Sequence, residues 1–461
     1  MNKIRFYLAM LIGKSAMMAL KILGRNASYL PGMLALRICP DFIGQLKPPS
    51  TVIAVTGTNG KTTVSNLITS ILRQNGYSVT NNDLGSNVQA GIATILLQDS
   101  TIGGKAKNDI AVLEVDERSS LRIYPYLKPD YLVCNNIMRD SLKRNAHTDF
   151  ISFIINSALP EETTLVLNAD DLICATLGPN NKKRIYFGMD AERPESVEPQ
   201  YVQDIVYCPV CGEKLEAEYL RYNHIGRMHC RGCDFASPTA DYLVTEIDRA
   251  GGTFTISHNN QEYRYNLIND NIVNVYNFSA VVALLSAFGM PYEQIAEGFA
   301  NSKIVKTRYD QLTSGELKIT MQLAKGQNPI ACARCFSYAA KCPDSNKALI
   351  IMIDDKGDNN GNSESTCWLY DCDYSYLNDP SIAQIVFAGP RCKDHYLRAL
   401  IAGIPAQKIK LTPDATAGAE LVDFNLSKDI YVLYDPYILK EANIVKNKLV
   451  QASLEVADHD H

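Results

Sequence analysis

The sequence lacks a surplus of charge of either sign: 45 Lys and Arg stand against 50 Asp and Glu, a formal net charge of −5. That balance excludes a chain whose main task is to coat nucleic acid, which needs excess cations to displace counterions. A long apolar run is missing too. Residues 4–23 are rich in apolar side chains, but Lys14 interrupts them. The uncharged stretch from Phe6 to Gly13 falls well short of the ~20 residues a membrane-spanning helix needs. No small-residue cleavage site follows, so no signal peptide is expected. Internal repeats and low-complexity tracts are absent, and tryptophan occurs once, at Trp368. What remains is an ordinary globular composition, 46% hydrophobic and 21% charged, which argues against wholesale disorder. A chain of 461 residues has material for about three domains at roughly 150 residues each. Its 13 cysteines are an odd count that includes two close C-x-x-C pairs. Such usage fits a reducing, cytoplasmic compartment and a metal site better than a disulfide framework.

Along the chain, residues 1–47 read as a helical segment. The expectation is an amphipathic helix packed on the body of the protein. Arg5, Lys14 and Lys21 make peripheral contact with a membrane surface the sharper alternative. Pro48-Pro49 punctuates the chain, and the β-branched run Thr51 to Val55 follows as a buried strand. Strand-like runs recur at 110–115, 130–134 and 164–168, with helical or loop stretches between them. That rhythm predicts α/β architecture with a parallel sheet in a central domain spanning 48–305. Residues 201–238 change texture to Cys, Tyr and charge and read as an inserted module; 276–300 read as helices. A second alternation, with strands at 348–353, 383–389 and 430–435, predicts a separate α/β domain over 306–461.

The strongest chemical signal is Thr56-Gly57-Thr58-Asn59-Gly60-Lys61-Thr62-Thr63, between a strand and a helix. Gly57 and Gly60 permit backbone conformations that turn N–H groups toward a polyphosphate, and the helix N-terminus adds its dipole. Lys61 supplies a point charge for the outer phosphates, and the Thr62 hydroxyl is placed to ligate Mg²⁺. Val55 stands where the general phosphate-loop pattern has its first glycine. Nucleotide binding is the expectation.

This form of the loop resembles that of the Mur ligases and folylpolyglutamate synthases. Further segments narrow the likeness to the MurT branch: ASYLPGMLALRICPDF (27–42), LEVDE (113–117), NNIMRDSLKR (135–144), LVLNADD (165–171), NVYN (274–277) and WLYDCDY (368–374). The likeness runs from about residue 27 to the last strand, without the large N-terminal UDP-binding domain of ordinary Mur ligases. The resemblance implies a Mur-ligase-like fold and amide synthesis through an ATP-derived acyl phosphate. In that branch ammonia comes from a GatD-like glutamine amidotransferase and is added to the D-glutamate α-carboxylate of the lipid II stem peptide. ATP, Mg²⁺ and a heterodimeric partner follow as expectations, with a cytoplasmic location and the inner face of the plasma membrane as the narrower alternative. Carried over position by position, the ATP site comprises Gly57, Thr58, Asn59, Gly60, Lys61, Thr62 and Thr63. Asn277 would read the adenine edge, Arg308 would reach the nucleotide, and Glu114 with Thr62 would hold Mg²⁺. Strand alternation points Asp116, rather than Glu117, the same way as Glu114. The stretch Leu142 to His147 departs from the family, with Lys143 in place of a carboxylate and His147 reading as a surface residue; just before it, Ser141 stands at the position of a histidine.

Cys208, Cys211, Cys230 and Cys233 form two C-x-x-C pairs with 18 residues between them, the spacing of a closed tetrahedral zinc site. Four thiolates leave no open position, so a structural zinc ribbon is expected, with no vacancy for His224 or His229. Cys332 and Cys335 lack a second pair and read as incidental; Cys134 and Cys174 read as core residues. In WLYDCDY, the resemblance makes Asp371 the residue that orients the histidine of the partner's Cys–His pair, with Asp373 as the alternative. Considered alone, both are solvated loop charges. Two rival readings remain: a stand-alone amino-acid ligase of the Mur or folate type, and a nucleotide-dependent scaffold whose ribbon docks a partner.

Overall fold

The computed structural model describes residues 2–83, 86–140, 147–197, 201–302, 309–324, 326, 328–353 and 366–459. They divide into two compact units, Met1–Met138 with His147–Ile304, and Val305–His461 with Arg139–Ala146.

In the first unit, β1 (Thr51–Thr56), β2 (Val79–Asn81), β3 (Ile110–Glu114), β4 (Tyr131–Cys134), β5 (Thr164–Asn168) and β6 (Arg184–Met189) form a parallel array. Their order is β6-β5-β4-β1-β3-β2. A parallel strand covered on both faces reads as a continuous apolar run, and β1 is buried from Val52 to Thr56. Strands β7 (Leu215–Tyr222) and β8 (Ile225–Cys230) pair as a separate antiparallel hairpin. The chain then returns as β9 (Tyr242–Asp248), parallel to β6, and β10 (Thr253–His258) and β11 (Gln261–Asn266) extend the sheet antiparallel. The cysteine module is therefore an insertion between two neighbouring strands. The antiparallel extension went unread in the sequence because its strands are half-polar and lie on the sheet edge.

The N-terminal segment folds into helices that belong to this unit. Helix Asn2–Ile22 buries Phe6, Ala9, Met10 and Met17 at helical spacing against the core of one sheet face. Lys14 is not available to a membrane surface as the sharper alternative assumed. Its ammonium donates to Leu97 O (2.8 Å) and Ser100 O (2.7 Å), where a cation offsets the orphan carbonyls ending helix Gln89–Asp99. Arg5 and Lys21 keep the exposed positions expected of them. Among the described residues, no helix is long and apolar enough to cross a membrane.

The second unit contains β12 (Tyr309–Ser314), β13 (Leu317–Leu323), β14 (Lys347–Met352), β15 (Ile382–Ala388), β16 (Ile409–Thr412) and β17 (Asp429–Tyr434). Their order is β12-β13-β17-β14-β15-β16; β12 is antiparallel to β13, and the remaining pairings are parallel. Strand β14 shows how period-two alternation builds two cores at once. Leu349 and Ile351 enter the cluster that contains Trp368 and Tyr374, while Ala348, Ile350 and Met352 enter the one beneath helix Leu439–His459.

Candidate functional site

β1 ends at Thr56 and helix Lys61–Gln74 begins five residues later, so the glycine loop is a strand-to-helix turn. Both glycines are required. Gly57 has φ +121° and Gly60 φ +88°, conformations that side-chain-bearing residues avoid. A Cβ on Gly60 would also lie 2.2 Å from Asn277 Oδ1 and 2.5 Å from Asn135 Nδ2.

The segment following β4 braces the loop. Thr58 N donates to Asn136 O (2.9 Å), and Asn59 N donates to Asn136 Oδ1 (3.0 Å). Asn136 Nδ2 returns a bond to Asn59 O (3.1 Å), while the Thr58 hydroxyl bridges Met138 O (3.0 Å) and Met138 N (2.9 Å). Gly60 offers no side-chain cap, so the first-turn N–H groups of Lys61, Thr62 and Thr63 have no acceptor inside the helix. That is an anion-binding geometry.

Lys61 donates to Gly57 O and pairs with Glu117 Oε1 at 2.8 Å. Burial works against its charge, but Glu117, helped by Glu114 and Asp116, outweighs it and holds the ammonium above its usual range. Glu117 rather than Asp116 therefore faces the site. Alternation fails here because β3 stops at Glu114 and the chain turns into a short 3₁₀ helix, Glu117–Ser119, in which Asp116 Oδ1 caps Arg118 N. Glu114 accepts from Thr62 Oγ1 on Oε2 (2.7 Å) and from Asn87 Nδ2 on Oε1 (2.9 Å). Asn82 fixes the Glu114 backbone through both its N–H and its C=O, each at 2.9 Å. A carboxylate and a hydroxyl are thus held together beside the Lys61 ammonium, a hard-oxygen donor set that suits Mg²⁺.

Asn277 lies on helix Ile272–Ala287, buried behind Gly60. It accepts from Asn135 Nδ2 (2.9 Å) and donates to Asn274 Oδ1 (3.2 Å). The structure therefore brings it to the loop by its edge contact with the glycine turn. Arg308, Ser141 and Lys143 lie outside the described residues. His147 is exposed and accepts from Asp149 N, opening helix Thr148–Ala158.

The four module cysteines bring their Sγ atoms within 4.8 Å of one another, with Cys208–Cys233 at 3.5 Å and Cys211–Cys230 at 3.4 Å. Tetrahedral Zn–S bonds of about 2.3 Å place sulfurs about 3.8 Å apart, so the cluster fits the ion. Val210 N and Gly232 N point at Cys208 Sγ and Cys230 Sγ (3.4 and 3.3 Å). Desolvation pushes the Cys208 thiol up, yet backbone N–H groups outweigh it and bring it to about 7. Cys332 and Cys335 are core residues of helix Pro329–Lys341, and Cys134 and Cys174 are fully buried.

Within the second unit, Asp371 ends the short helix Trp368–Asp371 and pairs with Arg139 Nη1 at 3.2 Å, both side chains partly exposed. Asp373 instead accepts from Ser375 N (2.9 Å) and Ser375 Oγ (2.6 Å), a local turn. The segment is held from beneath. The buried Arg398 donates to Leu369 O and Cys372 O, both at 3.0 Å, and covers the Tyr374 ring at 4.9 Å. Tyr374 OH lies 2.6 Å from His395 Nδ1, and His395 Nε2 lies 2.8 Å from Ile353 O. Burial holds His395 down to about 4, so it is neutral there, accepting from Tyr374 and donating to Ile353.

Sequence reasoning missed Glu117, Asn135, Asn136, Asn82, Asn87 and Arg398. The paired asparagines after β4 carried a usable signal, since two adjacent amides at the end of a buried strand need partners. Arg398 carried none, because its bonds join segments distant in sequence.

The family model described as Mur ligase middle domain matches residues 55–216, and that described as MurT ligase C-terminal matches 325–435. The chain is 30% identical over 432 residues to the lipid II isoglutaminyl synthase (glutamine-hydrolyzing) subunit MurT of Streptococcus pneumoniae, covering 92% of this chain and 93% of that one. It is 29% identical over 422 residues to the subunit of the same name from Staphylococcus aureus, covering 91% and 93%. Among solved structures, a pseudomurein peptide ligase type C from Methanothermus fervidus shares the fold. It aligns with a TM-score of 0.67 at 20% identity over 89% of this chain and 81% of that one.

Proposed function

Because this chain belongs to the MurT family, within the Mur-ligase fold, we propose that it is the synthetase subunit of a glutamine-dependent amidating ligase. Its substrate would be lipid II, amidated at the α-carboxylate of the stem-peptide D-glutamate. The supporting observation is the convergence of the Lys61 ammonium and the Thr62–Glu114 pair at the N-terminus of helix Lys61–Gln74.

A carboxylate oxygen of the acceptor attacks the γ-phosphorus of ATP, and the bond from that phosphorus to the β–γ bridging oxygen breaks, releasing ADP. The acyl phosphate so formed carries a good leaving group. The nitrogen lone pair of ammonia then adds to the carbonyl carbon, the carbon–oxygen bond to phosphate breaks, and a proton departs to give the primary amide. The barrier to phosphoryl transfer is lowered by positioning and by charge placed where it develops. The first-turn N–H groups and Lys61 cradle the phosphates, Asn136 and Met138 hold the loop in shape, and Glu117 keeps Lys61 charged and aimed. Mg²⁺ held by Thr62 and Glu114 would neutralise phosphate charge. Asn277 and Arg308 are proposed to contact the nucleotide beyond the loop. Zinc at Cys208, Cys211, Cys230 and Cys233 would be structural.

Ammonia would come from a GatD-like glutaminase whose histidine is oriented by Asp371, with Asp373 committed to its own turn. An apolar outer stripe on the N-terminal helix (Ile4, Leu8, Leu11, Met18, Ile22) supports peripheral contact with the membrane that carries the substrate. Reconstitution tests the whole reading. With glutamine as the nitrogen source, amidation should require the full mixture of chain, partner, ATP, glutamine and lipid II; consumption of a free amino acid in place of ammonia would overturn it.

A further inference from the structure

The cysteine module meets the nucleotide-binding unit through a buried side chain. His224 sits at the turn between β7 and β8, next to Asn223 at φ +52°. Carboxylates flank both ring nitrogens. Nε2 donates to Asp171 Oδ1 at 3.2 Å, and Nδ1 lies 3.6 Å from Asp204 Oδ2. The side chains of His224 and Asp171 are 0% exposed and that of Asp204 is 2% exposed. Hairpin turns ordinarily lie in solvent, so an imidazole driven into the interior against two carboxylates needs an explanation beyond apolar burial.

Asp171 is shared between this contact and the nucleotide loop. Its Oδ1 also accepts from Ile173 N and Cys174 N, opening helix Leu172–Ala175. Its Oδ2 accepts from Ile137 N at 2.7 Å. Ile137 is the residue between Asn136 and Met138, whose bonds shape Thr58 and Asn59. Adjacent contacts fix the docking: Gly226 N donates to Asp170 O (2.7 Å), and Leu172 packs into the module's own core with Cys208, Leu215, Met228 and Cys230.

We propose that His224 is a positioning residue for the nucleotide loop. The cysteine-bound hairpin seats it on Asp171, and Asp171 thereby holds the 136–138 segment in the register that Thr58 and Asn59 require. The inference rests on reading residues 57–63 as the ATP site. The ribbon is on this account a brace of the synthetase rather than a docking appendage.

The test uses the full-length chain in complex with its glutaminase partner, with a fluorescent ADP analogue as the binding probe. His224→Ala removes the donor, and His224→Gln keeps an N–H within reach of Asp171. Asp171→Asn keeps an oxygen for the helix cap but turns an NH₂ toward Ile137 N. In zinc-loaded, folded protein, H224A and D171N are expected to weaken ADP binding and raise KM for ATP by about ten-fold. KM for glutamine and kcat should stay within about two-fold, and H224Q should recover most of the loss. Wild-type affinity in both H224A and D171N would overturn the inference. One further measurement needs no variant: chelating the metal from wild-type protein should accelerate amide exchange at Ile137, and an unchanged rate would equally overturn it. Failure of the wild-type protein to bind the probe at all would instead sink the assignment of the nucleotide site.

Discussion

The Lys61 ammonium lies 2.8 Å from Glu117 Oε1, and that carboxylate is only 3% exposed. A cation on a flexible stem is thereby fixed at the mouth of the glycine loop before it has any phosphate to hold, which lowers the ordering cost of binding. Lys61→Ala should reduce amide synthesis by about 100-fold or more, the scale of removing one charge stabiliser from a transition state. Glu117→Gln keeps the volume but releases Lys61 from its charged partner. Its expected cost is on the order of ten-fold in kcat/KM for ATP, about 1.4 kcal/mol. Steady-state kinetics in the reconstituted complex check both, and an E117Q variant with wild-type kinetics would remove Glu117 from the site.

Glu114 and Thr62 make a separate prediction through the metal. Glu114→Gln removes the anionic ligand while keeping a group able to meet Thr62 and Asn87. The Mg²⁺ concentration for half-maximal activity should rise by about ten-fold or more, with partial recovery at high Mg²⁺. Titrating Mg²⁺ at fixed total ATP measures it. Equal Mg²⁺ dependence in wild type and E114Q would place the ion elsewhere.

Asp371 is expected to act on the ammonia supply and not on synthesis. Asp371→Ala should abolish amidation with glutamine yet leave most of the rate when an ammonium salt replaces glutamine. Asp373→Ala, which loosens only the Ser375 turn, should retain glutamine-dependent activity. Loss of both activities in D371A would make Asp371 part of the synthetase fold.

His395 gives the second unit an acid-sensitive core. Its folded-state value of about 4 lies below the 6.5 of the free side chain, so the unfolded chain binds more protons between those values. The stability contributed by keeping it neutral is fully present above pH ~6.5 and is lost as pH falls toward 4, a total of about 3 kcal/mol. Asp170 in the first unit acts in the opposite direction: burial raises it to about 6, so its folded form gains protons first as pH falls. Urea denaturation of wild type and His395→Gln from pH 7.5 to 4.5 checks this. The variant, lacking a titrating group there, should show a shallower acid slope in the transition of the second unit; identical slopes would contradict it.

The sheet and the loop were legible because their signals are local. The β-branched run at β1, the glycines at 57 and 60 and the spacing of Cys208, Cys211, Cys230 and Cys233 each specify geometry within a few residues. Continuous apolar runs likewise announced β14, β15 and β17. What stayed hidden depends on where one local element stops or on pairings across long stretches of chain. Glu117 reaches Lys61 only because β3 ends at Glu114 and the chain turns. Asn277 meets Asn135 across 142 positions, and Lys14 meets Leu97 across 83. Neither pairing has a periodic trace that sequence inspection could follow.

Oxygen transfer provides the most direct test of the central claim, that the phosphate loop serves to join phosphate to a carboxylic acid. Lipid II labelled with ¹⁸O in the D-glutamate α-carboxylate should, on amidation by the complete complex, deliver one labelled oxygen to inorganic phosphate per amide formed. Label found in AMP, or retained wholly in the peptide while ATP is consumed, would contradict the account.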